Sequence, residues 1–220
     1  MSDVSPDRDA VFAAVAAHRL RFADLVESLS DTELATPSLC AGWTTRDVAG
    51  HLSVAITGAP VPFVIGMVKA FGRPNVANRI VATDAARKPV GDLVTTIRRH
   101  ATSRFTPPVV GPRAPLADVL IHTGDIARPL GRPHEADPEA VAWALDFVTG
   151  PRPVGFLKPS RLAGLSLVAT DLGRTWNRSA DGDGEVVSGR GLDLLLAVCG
   201  RRVALESLRG DGAALLDART

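Results

Sequence analysis

Tyrosine is absent from the sequence, and all aromatics together make up only 5% of its 220 residues. Cysteine is nearly as scarce: Cys40 and Cys199 stand far apart and outside any C-x-x-C spacing. This argues against a disulfide framework and fits a reducing, cytoplasmic compartment. Neither sign of charge dominates, with 25 basic against 24 acidic residues. No basic block marks a nucleic-acid surface, and there is no acidic tail. The opening residues Met1-Ser2-Asp3-Val4 lack the basic start and apolar core of a secretory signal. The longest weakly charged run, Val48 to Phe71, carries Lys69 as its only formal charge. Gly58, Pro60 and Pro62 interrupt it, and each half is too short for about 30 Å of hydrocarbon. The run therefore predicts two buried helices separated by a break, not a membrane span.

Apolar residues at 45% and charged residues at 22% describe a globular chain, long enough for one large domain or two small ones. Ser5-Pro6 is a helix start, with Ser as cap and Pro in the first turn. Val11, Phe12, Val15, Phe22, Leu25, Val26 and Leu29 then form one stripe at helical period. Thr44 as N-cap with Asp47 three residues on resembles a capping box. The helix it opens carries Val48, Leu52 and Ile56 on one face, with His51 beside them, and ends near Gly58. A further helix is predicted over Pro62 to Phe71. Residues 75–89 are ambiguous, and Val90 to Ser103 reads as helix. The proline-rich loop Thr106 to Pro115 gives way to a helix over Leu116 to Ala127, and Asp137-Pro138 starts another.

The texture then changes. Thr149 to Ser160 holds three prolines and two glycines and reads as a linker. Beyond it, Arg161 to Asp171 and Trp176 to Ser188 alternate like strands, with an Asp181-Gly182-Asp183-Gly184 turn among them. Leu192 to Val198 is a short apolar helix, and Val203 to Leu208 and Ala213 to Leu216 read as strand or short helix. The expected organisation is a helical bundle over residues 1–150 followed by a small α+β domain over 151–220.

Five histidines are present. His18 and His100 stand beside arginines and His134 lies in a loop, so all three read as surface groups. His51 and His122 differ, because each falls inside an amphipathic helix close to its apolar stripe. Asp118 precedes His122 by four residues, which places both side chains on one helix face, one turn apart. Asp125 follows by three and serves either to orient His122 or in an ordinary surface pair. A bundle core can bring His51 from another helix to the same point. Two nitrogens and one carboxylate oxygen suit zinc and other first-row divalent ions, and three protein ligands leave a position open, the catalytic pattern. The same Asp-x-x-x-His spacing also occurs as a solvated i,i+4 pair. Trp43 is expected to pack against the bundle end, Cys199 in the core, and Cys40 either beside the site or as a small buried residue. Arg201 is a candidate contact for an anionic substrate or thiol group, against the default of an exposed arginine.

The run Pro37-Ser38-Leu39-Cys40-Ala41-Gly42-Trp43-Thr44-Thr45-Arg46-Asp47-Val48-Ala49-Gly50-His51-Leu52 resembles the signature of the mycothiol-dependent maleylpyruvate isomerase family, which belongs to the DinB-like metal-binding four-helix bundles. Asp118 through Gly131 is similar to that family's second metal motif, and Gly191 through Arg201 to its small sterol-carrier-like C-terminal domain. The resemblance implies a DinB-like up-down four-helix bundle followed by a small α+β domain. It implies that His51, Asp118 and His122 are the metal ligands, with Asp118 standing where the family's isomerase has glutamate. It also implies zinc as the ion, mycothiol as the thiol cofactor and an actinobacterial source.

The leading expectation is an enzyme in which a metal-activated thiol adds to a small electrophile and isomerises it. A mycothiol S-transferase is a second outcome of the same site. A non-catalytic metal-binding module whose C-terminal domain binds an apolar ligand is the reading from another class. The partners expected are a small-molecule substrate and a thiol, without nucleic acid or membrane, and the sequence leaves a homodimer open.

Overall fold

The protein is described by a computed structural model over residues 7–58, 60–71, 73–106, 110–179 and 182–220. By packing, these group into two compact units: Phe12–Thr106 with His122–His134, and Met1–Val11 with Pro107–Ile121 and Glu135–Thr220.

The first of these units is helical. Helix α1 (Arg8–Glu27) buries Val11, Phe12, Val15, Phe22 and Val26, the stripe its sequence spacing predicts. The expected start at Ser5-Pro6 lies outside the described residues. His18, expected at the surface, is buried at 3% exposure. It stands three residues after Val15 and four before Phe22 and so falls on the apolar face, which the flanking arginines obscure. Arg19 is buried too, and its Nη1 donates to the carbonyls of Ala101 at 3.0 Å and Ser103 at 2.8 Å. Those carbonyls lie just beyond α6 (Val90–Arg99), where a helix end leaves acceptors that want a cation.

Helix α2 (Asp31–Ala35) opens on a capping box of Ser30 and Glu33. Arg132 donates to Glu33 Oε1 at 2.6 Å and ties α2 to the segment that follows Ala127. That hydrogen bond, with those from Ser30, lowers the Glu33 carboxyl from its ordinary 4.5 to about 2. A depressed carboxyl contributes stability that is present above its unfolded value and lost as pH falls toward its folded one. The stability gap between wild type and Glu33→Gln, read by urea unfolding between about pH 6 and pH 3, is therefore expected to shrink below pH 4.5. A gap that does not change with pH contradicts the assignment.

Helix α3 (Thr45–Ala55) packs along α5 (Pro74–Ala86), and α4 (Pro60–Lys69) also lies against α5. The α3–α5 approach is close because the facing residues are small. A Cβ on Gly50 would sit 2.5 Å from the Ala82 carbonyl oxygen and 2.8 Å from the Ala86 nitrogen. The core residues of α5 are Ala77, Ala82, Ala85 and Ala86, which is why the 75–89 segment shows so little hydrophobic periodicity. The expectation that both halves of the Val48–Phe71 run are buried holds for α3 and fails for α4. Val64, Ile65, Val68 and Phe71 are exposed, Val68 by 74% and Phe71 by 92%. The turn of α4 that faces α5 uses Gly66, whose missing side chain leaves room for the Val81 side chain and the Ala77 carbonyl. Among the described residues, no helix is long and apolar enough to cross a membrane.

Helix α7 (Arg113–Ala127) begins three residues before the predicted Leu116. Pro115 lies in its first turn, where its missing N–H has no helical partner to lose.

In the other unit, α8 (Pro138–Val148) packs against α9 (Gly191–Val198), every residue of which is buried. A three-stranded sheet accompanies them, in the order β2 (Arg174–Asn177), β1 (Leu165–Ala169), β3 (Glu185–Gly189). Strand β2 is antiparallel and β3 parallel to β1. The strands on either side of the expected 181–184 turn flank β1 instead of pairing with each other; Asp181 itself lies outside the described residues. Leu165, Leu167 and Ala169 are fully buried, so the most apolar strand takes the centre and polar β2 an edge. Residues 202–207 form a 3-10 turn and Gly212–Ala218 helix α10. The fold is the expected class, a helical bundle followed by a small α+β part.

Candidate metal centre

The centre is built from a cap, a hairpin and two helices. Thr44 Oγ1 accepts from the Asp47 N–H at 3.2 Å, and Asp47 Oδ2 accepts from the Thr44 N–H at 2.9 Å. This capping box, visible in the sequence, fixes where α3 begins. With Val48, Leu52 and Ile56 in the core, His51 is held half-buried at the edge of that stripe.

The residues before the cap form a tight hairpin. Pro37 pairs with Thr44, the Ser38 N–H donates to the Trp43 carbonyl at 2.9 Å, and the Trp43 N–H donates to that of Cys40 at 3.0 Å. The turn needs the left-handed conformation of Gly42, at φ 76°. The Leu39 N–H donates to the Asp125 carbonyl at 3.1 Å, near the end of α7, where helical carbonyls have no internal partner. The hairpin is thereby fastened to α7 beside His122.

The ring of His51 meets that of His122 edge-on, with centroids 4.8 Å apart. Trp43 lies against both, 5.3 Å from His51 and nearly parallel to His122 at 6.3 Å. The indole was expected at the bundle end; it covers the two imidazoles because the hairpin turns it back over α3. Asp118 stands one helical turn before His122 on α7, so their spacing is set within one helix. Ligand atoms of His51, Asp118 and His122 all lie within 4.8 Å of one another. Donors bound to one tetrahedral ion at about 2.0–2.2 Å are separated by roughly 3.3–3.6 Å. Two imidazoles and a carboxylate gathered within 4.8 Å are a donor set of the kind a divalent ion takes.

A second trio, Cys40, His122 and Asp125, is just as compact. Here the distances are those of hydrogen bonds. His122 Nδ1 lies 2.8 Å from Asp125 Oδ2, and the Cys40 Sγ–H donates to the same oxygen at 3.0 Å. Asp125 is fully buried at 0% exposure, so its carboxylate is no surface group, and its contact with the His122 ring is made inside the fold. An imidazole whose Nδ1 is engaged by a carboxylate presents Nε2 to an ion. The Cys40 and Asp125 contacts are both made at the Nδ1 side of the ring.

Arg201 lies in the turn after α9, where its Nη1 donates to the Cys199 carbonyl at 2.7 Å. Cys199 is buried, as expected. Sequence reasoning left Cys40 and Trp43 without a defined task. The one available signal was their position immediately ahead of the cap that starts the His51 helix.

The solved structure of the mycothiol-dependent maleylpyruvate isomerase superposes with a TM-score of 0.61 at 13% identity, covering 94% of each chain. A histidine-to-alanine mutant of that isomerase superposes at 0.63 and 12% identity, again over 94% of each. At such identities the likeness speaks for the fold. No curated protein matches the sequence. Residues 15–104, which include Cys40, Trp43 and His51, match the model of the mycothiol maleylpyruvate isomerase N-terminal domain. Over that stretch the sequence is similar to the N-terminal domain of the mycothiol maleylpyruvate isomerases, and the likeness of fold extends along most of the chain.

Proposed function

We infer that the chain is an enzyme that uses a low-molecular-weight thiol, mycothiol, to isomerise a small electrophile of the maleylpyruvate type. The observation that carries this reading is the convergence of His51, Asp118 and His122 within 4.8 Å. In it, His51, His122 through Nε2 and the Asp118 carboxylate hold a divalent ion, with zinc the best fit to two imidazoles and one carboxylate. A bound ion of this kind supplies Lewis acidity that lowers the pKa of a thiol from about 8.5 into the neutral range.

The chain's own residues position and shield. Asp125 holds the His122 ring, and Trp43 covers both imidazoles on the hairpin side. Aspartate at 118 reaches less far than glutamate, yet its ligand atom lies within 4.8 Å of those of both imidazoles. The reaction balances without a redox partner. A thiol bound there would supply a nucleophile able to add reversibly to the double bond, the electron pair moving into the adjacent carbonyl, so that rotation and elimination would return the thiol and the other geometric isomer. The helical part of residues 1–150 carries all three proposed donors, ahead of an α+β part over 151–220.

The test is isomerisation of maleylpyruvate with mycothiol before and after chelation. Activity is expected only with thiol and metal together, lost on chelation and restored by zinc. Accumulation of a stable thiol adduct instead of the isomer would make the protein an S-transferase. Tight binding of apolar ligands with no turnover would make it a non-catalytic module.

A further inference from the structure

Cys40 takes no part in the coordination set just described, yet its thiol lies on the group that orients His122. Its Sγ–H donates to Asp125 Oδ2 at 3.0 Å, and this is the oxygen that meets His122 Nδ1 at 2.8 Å. The Cys40 sulfur is 3.8 Å from Nδ1, too long to compete with the carboxylate for that nitrogen. One residue earlier, the Leu39 N–H holds the Asp125 backbone carbonyl at 3.1 Å. The hairpin therefore grips Asp125 twice, by main chain and by side chain, and the carboxylate is fully buried. A buried carboxylate needs donors, and the set of donors it receives decides which way its oxygens face.

We propose that Cys40 is a positioning residue: its thiol fixes the Asp125 carboxylate so that His122 is held as the Nδ1–H tautomer, with Nε2 directed at His51 and Asp118. Free histidine in water favours the opposite tautomer, so a partner at Nδ1 is required to reverse it. Asp125 supplies that partner, and Cys40 keeps it in register. Direct coordination by Cys40 is the competing use of the same three groups, and the 2.8 and 3.0 Å contacts favour hydrogen bonding over it. The consequence for metal affinity rests on the ligand assignment proposed above; the consequence for the tautomer does not.

The experiment is histidine side-chain nitrogen NMR on metal-free wild type, Cys40→Ser and Cys40→Ala, followed by zinc titration of each. Wild-type His122 is expected as Nδ1–H. Serine retains a donor and is expected to keep that tautomer, whereas alanine gives a mixture of the two. Zinc affinity is expected to fall about 3- to 10-fold in Cys40→Ala, less than the 10- to 100-fold typical of a group touching the ligand itself, and to recover in Cys40→Ser. Should the alanine variant not fold, thiomethylation of folded wild type removes the S–H donor and is reversed by reductant, with the same readout. Unchanged tautomer and affinity in Cys40→Ala, with wild type binding zinc, overturns this inference and leaves the metal site standing. Wild type in the Nδ1–H form that binds no zinc overturns the metal site and leaves the positioning role. A sulfur-to-metal charge-transfer band in the cobalt-loaded protein makes Cys40 a ligand and overturns the proposal.

Discussion

His122→Ala is expected to purify without metal, and its zinc affinity to fall by at least about 100-fold. His122 is the one residue shared by both compact trios, and its removal takes a nitrogen from the proposed coordination set. It also takes a donor from Asp125, which is fully buried, and a buried acceptor left short of partners costs about 1–3 kcal/mol. Metal loss in the alanine variant alone could thus follow from a loosened fold. His122→Asn separates the two effects. Its side-chain amide can reach the position of Nδ1 and serve Asp125, but nothing extends to where Nε2 stood. The asparagine variant is expected to keep most of the wild-type apo stability while losing metal as fully as alanine. Zinc titration with thermal unfolding of the apo proteins reads both. An asparagine variant that binds zinc like wild type would show that coordination does not run through Nε2.

The second large effect concerns the frame that carries His51. Gly50→Val is expected to destabilise the fold by about 3 kcal/mol, the upper end for overpacking a tight contact. For a chain of this length that lowers Tm by about 6–12 °C. The added Cβ would meet the Ala82 carbonyl oxygen at 2.5 Å and the Ala86 nitrogen at 2.8 Å, both backbone atoms that cannot swing aside. Because Gly50 precedes His51 on α3, separating α3 from α5 also shifts the imidazole. Zinc affinity is expected to fall together with Tm, whereas Gly91→Val on α6, where a new Cβ meets nothing within 4 Å, serves as the control for helix propensity alone. Equal unfolding temperatures for the two variants would contradict the close α3–α5 contact.

What was legible in the sequence was local. The Thr44–Asp47 capping box, the Val48–Leu52–Ile56 stripe and the one-turn spacing of Asp118 and His122 are each set within a few residues, and each appears where it was read. What was hidden depends on distant partners. The thiol of Cys40 and the carboxylate of Asp125 are 85 residues apart, and only the hairpin docked on α7 brings them together. Helix α5 packs through alanines against a glycine, a contact that leaves no large apolar residues for periodicity to find. His18 was disguised in the opposite way, as a polar residue with charged neighbours that nevertheless falls on the buried face of α1. The pairing of β2 and β3 with β1, and not with each other, follows from which strand is most apolar, a comparison that a search for turns does not make.

The measurement closest to the central claim is elemental analysis of protein purified without chelator, combined with X-ray absorption of whatever ion it holds. Near one zinc-type ion per chain, surrounded by two imidazole nitrogens and a carboxylate oxygen, is the predicted result. A protein that stays metal-free when offered zinc, or an ion with a single imidazole or none around it, would contradict the joint assignment of His51, Asp118 and His122.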